Sequence, residues 1–245
     1  MTNIKIEFNC VPKWKYADPI VPAIRALPQW YKDKKAYGEE QMPYERGHGT
    51  VKACPAMFDS MTLGYILPLW TDLYVEPSYD AEFGTVPNFT WGGLVAGGQG
   101  GKLLTQFNLE TTRGMPGVDQ TGVPTYKINS PWTLRTPKGY STLHIAPLNN
   151  KNLLMEPISG IIHTDVYSHF INIPFIWTGP ADFEGVIKRG TPLLQLIPFK
   201  REEYELELGV ITPEHQEEID ACIHYPAEQF GGGYRKLTNR LMGDE

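Results

Sequence analysis

Apolar and polar residues alternate in short runs along much of this chain, and the runs are broken by Gly, Pro and polar turns. Residues 3–8 alternate and predict a strand. From Asp18 to Lys35, Ile24, Leu27, Trp30 and Tyr31 fall at helical spacing, with Pro28 breaking the stretch into two short turns. Residues 55–62 predict one more helical turn, and 64–69 and 71–76 two strands joined near Trp70. From Ser130 to Arg201 the pattern becomes regular. Segments 132–139, 140–147, 158–162, 170–176, 183–187 and 192–199 are each bounded by Gly, Pro or a polar turn. Strands so close together, with no helix between them, predict antiparallel pairing in a sandwich or distorted barrel. Tyr204-Glu-Leu-Glu-Leu208 reads as a charged strand suited to a sheet edge. Thr212-Pro-Glu then opens a helix, with a cap, a proline at the first helical position and acids in the first turn.

The expected fold is therefore mostly β, a single domain over 1–245. Its core spans 130–201, with an N-terminal extension at 1–62 carrying short helices and one C-terminal helix with a tail at 210–245. Composition agrees: 21 Pro, 24 Gly and 12% aromatic residues suit many strands joined by turns. Trp132, Phe170, Phe175, Trp177 and Phe199 are the expected fillers between sheets. The glycine-dense 92–101 has neither phosphate-loop nor dinucleotide spacing and reads as a mobile loop.

A formal charge of −6 leaves no broad basic face for duplex nucleic acid. Cys10, Cys54 and Cys222 form no CxxC pair and read as reduced, buried thiols. No apolar run approaches the ~20 residues that span a bilayer, and the N-terminus lacks a signal-peptide apolar region. The expectation is a soluble cytoplasmic protein with no membrane partner.

Three segments, in order and spacing, resemble the dUTPase and dCTP-deaminase superfamily, whose fold is a β-clip. They are Thr136-Pro-Lys-Gly-Tyr-Ser-Thr-Leu-His-Ile-Ala-Pro147, Gly160-Ile-Ile-His-Thr-Asp-Val-Tyr167, and Phe183-Glu-Gly-Val-Ile-Lys-Arg-Gly-Thr-Pro-Leu-Leu-Gln-Leu-Ile197. The chain also resembles, over most of its length, a family recurrent in phage and bacterial genomes, which implies no particular activity. If it is phage-encoded, its compartment would be the host cytoplasm.

The superfamily resemblance implies a nucleotide-type pocket but not its hydrolysis. At the place of the water-orienting acid stands His163, while Asp165 matches the second acid of that motif. Val166 takes the place of the sugar-recognising tyrosine, with Tyr167 one residue on. Pro147-Leu-Asn-Asn replaces the phosphate-contacting turn, and Ile66 stands where an acid helps hold magnesium-bound phosphates. Gln195 matches the phosphate-facing glutamine, and Gly231–Arg235 faintly echoes a glycine-rich closing arm. In-line attack on a triphosphate needs neutralised oxygens and a positioned water. The first functional expectation is a small-molecule or nucleotide-binding protein without dUTP hydrolysis, using His163, Asp165, Tyr167 and Gln195. By analogy it would be a homo-oligomer, a trimer sharing its sites.

Other readings stay open. A virion-structural or host-interaction protein would use the fold as a scaffold and the aromatic N-terminal region (Trp30, Tyr31, Lys32, Lys34, Lys35) for contacts. His163-Thr-Asp165 with His224 mimics the two-His-one-carboxylate set of ferrous, 2-oxoglutarate-type oxygenases. Mg2+ or Fe2+ are the metals these alternatives would call for. His144 and His163 could meet across strands as an acid/base pair beside Asp165. Cys54 opens a helical turn that would stabilise a thiolate. Ser60, Ser141 and Ser159 sit in no GxSxG context.

Overall fold

The computed structural model describes residues 4–12, 18–36, 50–91, 104–106, 112, 114–115, 118, 125–150 and 154–228; of 104–106 and 223–228 it describes the backbone course alone. The 92–101 loop and Gly231–Arg235 lie outside the described residues. The fold is mostly β, with three antiparallel sheets. By contact the chain divides into two units, 1–27 with 61–201, and 28–60 with 202–245.

The first unit carries every described strand. One sheet runs β1 (Glu7–Cys10), β7 (Tyr126–Arg135), β11 (Phe170–Trp177), β9 (Met155–Pro157), with β6 (Leu104–Gln106) also on β7. A second runs β10 (Gly160–Ile162), β8 (Tyr140–Ile145), β13 (Pro192–Lys200), β3 (Tyr65–Pro68), β2 (Val21–Pro22). The third is β12 (Gly185–Ile187), β4 (Leu73–Asp80), β5 (Gly84–Trp91).

Period-two patterning decides which faces are inside. On β7, Tyr126, Ile128, Trp132 and Leu134 are buried; on β11, Ile171, Ile173, Phe175 and Trp177 are. These join Leu67, Leu73, Val75, Met155 and Leu194 in one apolar core to which all three sheets contribute. Phe175 is wholly buried, stacked on Tyr126 at 5.6 Å and met edge-on by Phe89 at 5.9 Å. Of the five expected fillers, Trp132, Phe175 and Trp177 are core residues, while Phe170 and Phe199 are only half-buried.

The first strand begins at Glu7 rather than residue 3, where it pairs with Arg135. The segments either side of Trp70 are strands but not a hairpin: β3 pairs with β13, and β4 with β5. Leu67, Leu69 and Trp70 are wholly buried, so the chain passes through the core between the two sheets there. Gly64 makes that entry feasible. Its φ is +71°, and a Cβ would stand 2.2 Å from the Leu196 carbonyl oxygen.

The second unit contains α1 (Gln29–Asp33), most of α2 (Pro55–Thr62) and α3 (Pro213–Glu228). Pro28 precedes α1, after a 3-10 turn at Ala23–Ala26 in the first unit, so the helical stretch breaks where proline removes a donor. Tyr31 is buried in its unit, lies 6.4 Å from Phe58 and donates its hydroxyl to the Lys52 carbonyl at 3.3 Å. At α3, the Thr212 hydroxyl accepts the His215 N–H at 3.2 Å, as a cap should.

Tyr204–Leu208 corrects the expectation of an edge strand: residues 201–212 form neither helix nor strand. Tyr204, Leu206, Leu208, Val210 and Ile211 are 86%, 81%, 86%, 90% and 59% exposed. Alternation alone cannot form a strand without a neighbouring backbone to bond. The thiols also differ from expectation, since all three are free but Cys10 and Cys54 are half-buried and Cys222 is exposed. Among the described residues, no helix is long and apolar enough to cross a membrane.

Candidate functional site

The best-connected polar cluster lies where β7 turns into β8 and β10 ends. Pro137–Gly139 forms the first turn, closed by the Tyr140 N–H on the Pro137 carbonyl at 3.1 Å, with Gly139 at φ +86°. The second turn follows β10, where Val166 and Tyr167 donate their N–H groups to the His163 carbonyl at 3.1 and 2.8 Å. Three buried threonines join them. Thr164 meets Thr136 at 2.7 Å and Thr142 at 2.9 Å, oxygen to oxygen.

Asp165 sits at the centre, with its side chain 2% exposed. One oxygen accepts the Gly139 N–H at 2.8 Å, and Arg201 grips both oxygens, at 2.9 Å on Oδ1 and through its second nitrogen on Oδ2. This clamp, the Arg201 hydrogen bond first and the Gly139 N–H second, holds the Asp165 carboxyl far below the usual carboxylate range. The same Arg201 Nη1 also meets the Tyr140 carbonyl at 2.9 Å and the Ser141 hydroxyl at 2.8 Å. The Arg201 backbone N–H bonds the Gly139 carbonyl at 2.8 Å.

Arginine only donates, so Ser141 Oγ accepts from it, and the same Oγ lies 2.8 Å from His163 Nδ1. Arg201 Nη1 also lies 3.4 Å from His163 Nδ1, and His163 is exposed. Ser141 itself is wholly buried, so this Ser–His pair offers a substrate no nucleophile. Asp165 is ionised, and the clamp that lowers its pKa makes it a poor proton acceptor near neutral pH. A metal at Asp165 would have to displace Arg201.

The candidate ligand residues separate. His163, Asp165 and Tyr167 share the second turn; Tyr167 is exposed and its ring stacks on His169 at 5.4 Å and 13°. Gln195 lies on β13 opposite Ile145, four ladder positions from the pair of Phe199 with Ser141. It is buried, accepts the Leu148 N–H and donates to the Leu63 carbonyl, both at 2.8 Å. His224 lies in α3 with its side chain outside the described residues. Among the described residues no three His, Cys, Asp or Glu side chains gather as a metal set.

His144 pairs with Gly160 and Leu196 across its strands and, by strand parity, faces away from Ser141 and so from His163. It is buried, and among the described residues its Nε2 has no hydrogen-bond partner. Burial pulls its pKa down to about 4. Ser60 donates to the Met57 carbonyl at 2.8 Å, a local helix contact.

Two features escaped the sequence reading. Arg201 is thirty-six residues from Asp165, and only the β8–β13 pairing brings them together. A recess of about 290 Å3 also opens on the β4–β5 hairpin, lined by Tyr79, Asp80, Pro87, Asn88, Phe89 and Tyr126 among others. Tyr126 donates there to the Pro87 carbonyl at 3.2 Å, and burial raises its phenol well above the usual range. Asp80 there accepts the Glu82 and Phe83 N–H groups on one oxygen, Oδ1, at 2.8 and 3.1 Å. No protein-family model matches this chain, and no curated protein does either.

Proposed function

We propose that this chain is an interaction protein, with a dUTPase-like β-clip body serving as a scaffold that does not hydrolyse dUTP. The observation that carries this reading is the exposure, from 59% to 90%, of five large apolar side chains within eight consecutive residues, 204–211. Scattered exposed apolar residues are ordinary, but a contiguous set marks a contact surface. Each such side chain is worth about 1.5–3 kcal/mol when fully buried. The contact region thereby moves from the aromatic N-terminus, where Tyr31 is already buried, to the C-terminal arm. The clamp on Asp165 supports the absence of hydrolysis, because a carboxylate held below its usual range is a poor base for a water and Ser141 is wholly buried.

The test is affinity purification of the full-length chain from its source cells beside the doubly substituted Leu206→Asn, Leu208→Asn chain. A stoichiometric complex, of either this chain with itself or this chain with another protein, is expected for the first and lost for the second. A chain that is monomeric and partnerless at micromolar concentration, with or without the substitutions, ends the reading.

A second reading keeps a specific observation. Exposed Tyr167, stacked on half-buried His169, shares its turn with exposed His163, and together they offer a planar platform and an N–H donor, which suits a base or another flat ligand. A ligand at a hundred times its Kd adds about 2.7 kcal/mol of stability. Nucleotides, deoxynucleotides, 2-oxoglutarate and divalent metals should therefore be screened by thermal shift. A shift that disappears in Tyr167→Ala supports this reading; no shift with any of them removes it.

A further inference from the structure

We infer that the recess on the β4–β5 hairpin binds a primary alkylammonium group, held by the Asp80 carboxylate against an aromatic wall. This goes beyond the contact reading of 204–211 and does not depend on it: the recess belongs wholly to the first unit of the chain, and that segment to the second. At about 290 Å3 the recess stands at the small end of ligand clefts, which run from roughly 300 to 1,000 Å3. It therefore suits a group the size of an amino-acid side chain rather than a whole nucleotide.

The hairpin itself sets the acid in place. Asp80 pairs with Gly84 at the last ladder position, and Gly84, at φ +74°, closes the turn. Within that turn Oδ1 of Asp80 accepts the N–H groups of Glu82 and Phe83, at 2.8 and 3.1 Å. Both bonds fall on one oxygen, so the turn orients the carboxylate and still leaves Oδ2 without a donor among the described residues. A fixed carboxylate loses little freedom when it takes up a ligand.

The remaining polar groups of the recess are chiefly acceptors. Tyr126 spends its hydroxyl hydrogen on the Pro87 carbonyl at 3.2 Å, which leaves the phenol oxygen free to accept. Asn88 lies 2.9 Å from Glu76 Oε1; a carboxylate only accepts, so the nitrogen of the Asn88 amide faces it and the Asn88 oxygen is left over. No Lys or Arg stands among the described lining residues. An anion would meet the Asp80 charge with nothing to balance it, whereas an ammonium brings donors and no acceptor.

The walls suit the same ligand. Tyr79 lines the recess while 80% exposed, and Phe89 meets the Tyr126 ring edge-on at 4.9 Å. Ring faces attract a cation, and their apolar edges pack an alkyl stem. Burial raises the Tyr126 phenol first, and the negative charge of Asp80 raises it further, so the field of that carboxylate is felt at the recess wall. An ammonium is a compact charge that one oxygen can hold, but a guanidinium fork binds best across both oxygens of a carboxylate. With Oδ1 already taken by the turn, the geometry favours the ammonium.

The experiment is isothermal titration calorimetry on the full chain at low ionic strength, with n-butylammonium, n-butylguanidinium and butyrate as probes up to about 20 mM. Saturable uptake of butylammonium at one site per chain is expected, tighter than that of butylguanidinium, with no uptake of butyrate. Asp80→Asn keeps an Oδ1 for the two turn N–H groups and removes the charge, and should weaken butylammonium at least about tenfold. Tyr79→Ala should weaken it about two- to fivefold. Glu218→Gln, which removes an exposed acid from the second unit, should leave it unchanged. Circular dichroism melts show whether each variant is folded. Titrating 1,4-diaminobutane against the amide of Nα-acetyl-lysine distinguishes a free amine from a lysine of another protein, and tighter binding of either supports the site. Absence of saturable uptake, or equal weakening by Asp80→Asn and Glu218→Gln, overturns the site. Affinity unmoved by both Asp80→Asn and Tyr79→Ala places the binding elsewhere and overturns it too. Tighter binding of the guanidinium overturns the assignment to an ammonium.

Discussion

His144 gives the sharpest quantitative test of the body's structure. It is 7% exposed, its Nε2 has no partner among the described residues, and its pKa falls to about 4 from an ordinary 6.5 through burial. A folded-state pKa below the unfolded one means that the unfolded chain binds the proton more readily. The fold therefore has its full stability above about pH 6.5 and loses stability as pH falls from there towards 4. The full depression corresponds to about 3 kcal/mol at ~1.4 kcal/mol per unit. At pH 5 the loss relative to pH 7.5 is about 2 kcal/mol, because the unfolded histidine is then almost wholly protonated and the folded one scarcely. His144→Leu removes the titrating group and leaves no orphaned ring nitrogen. Urea denaturation of both proteins at pH 7.5 and pH 5 isolates the effect, since exposed groups contribute equally to each. The native protein should lose about 2 kcal/mol more than the variant between the two pH values. Parallel losses, within about 0.5 kcal/mol, would refute the burial of a neutral imidazole at this position.

Other consequences follow from the same geometry. Asp165→Asn should flatten the acid limb of the stability profile: a carboxyl held below its usual range by Arg201 and Gly139 stabilises the fold above about pH 4 and loses that contribution as pH falls through the depressed value. Thermal melts at descending pH read this directly, and an unchanged acid limb would count against the clamp. Arg201→Ala should lower Tm well beyond Lys188→Ala, whose pair with Asp72 at 3.3 Å is exposed; equal shifts in differential scanning calorimetry would contradict the network. Gly64→Ala should cost at least about 2–3 kcal/mol, because it combines a left-handed backbone with a 2.2 Å approach to Leu196, and chemical denaturation checks it. Gln195→Ala should destabilise by about 1–3 kcal/mol for each backbone group it strands, those of Leu148 and Leu63; a variant as stable as the native chain by urea melt would return Gln195 to the ligand candidates.

Period-two patterning was enough to read most antiparallel strands of 130–201, though not the short Met155–Pro157, since alternation is a local consequence of the pleat. The helix after Thr212 and the break at Pro28 were legible for the same reason: a cap, a missing N–H and a fixed φ act within a few residues. Pairing was not local. Tyr65–Pro68 and Leu73–Asp80 looked like neighbours, yet the first pairs with the distant Pro192–Lys200, and the second with the next strand, Gly84–Trp91, and with the distant Gly185–Ile187. The candidate site was half legible, because His163, Asp165 and Tyr167 share one turn. Gln195 drew attention by its motif, but the surrounding sheet turned its amide towards Leu148 and Leu63.

What the sequence by itself determined was therefore the class of the fold and the position of most elements, because propensity and periodicity operate over short distances. Tertiary structure alone decided that Arg201 reaches Asp165, that the Nε2 of His144 is buried with no hydrogen-bond partner among the described residues, and that Tyr204–Ile211 pairs with no described strand. Those outcomes depend on strand order and register, and so on which distant backbones have hydrogen bonds left to offer. The same alternating sequence is a strand where a neighbour exists and an exposed arm where none does.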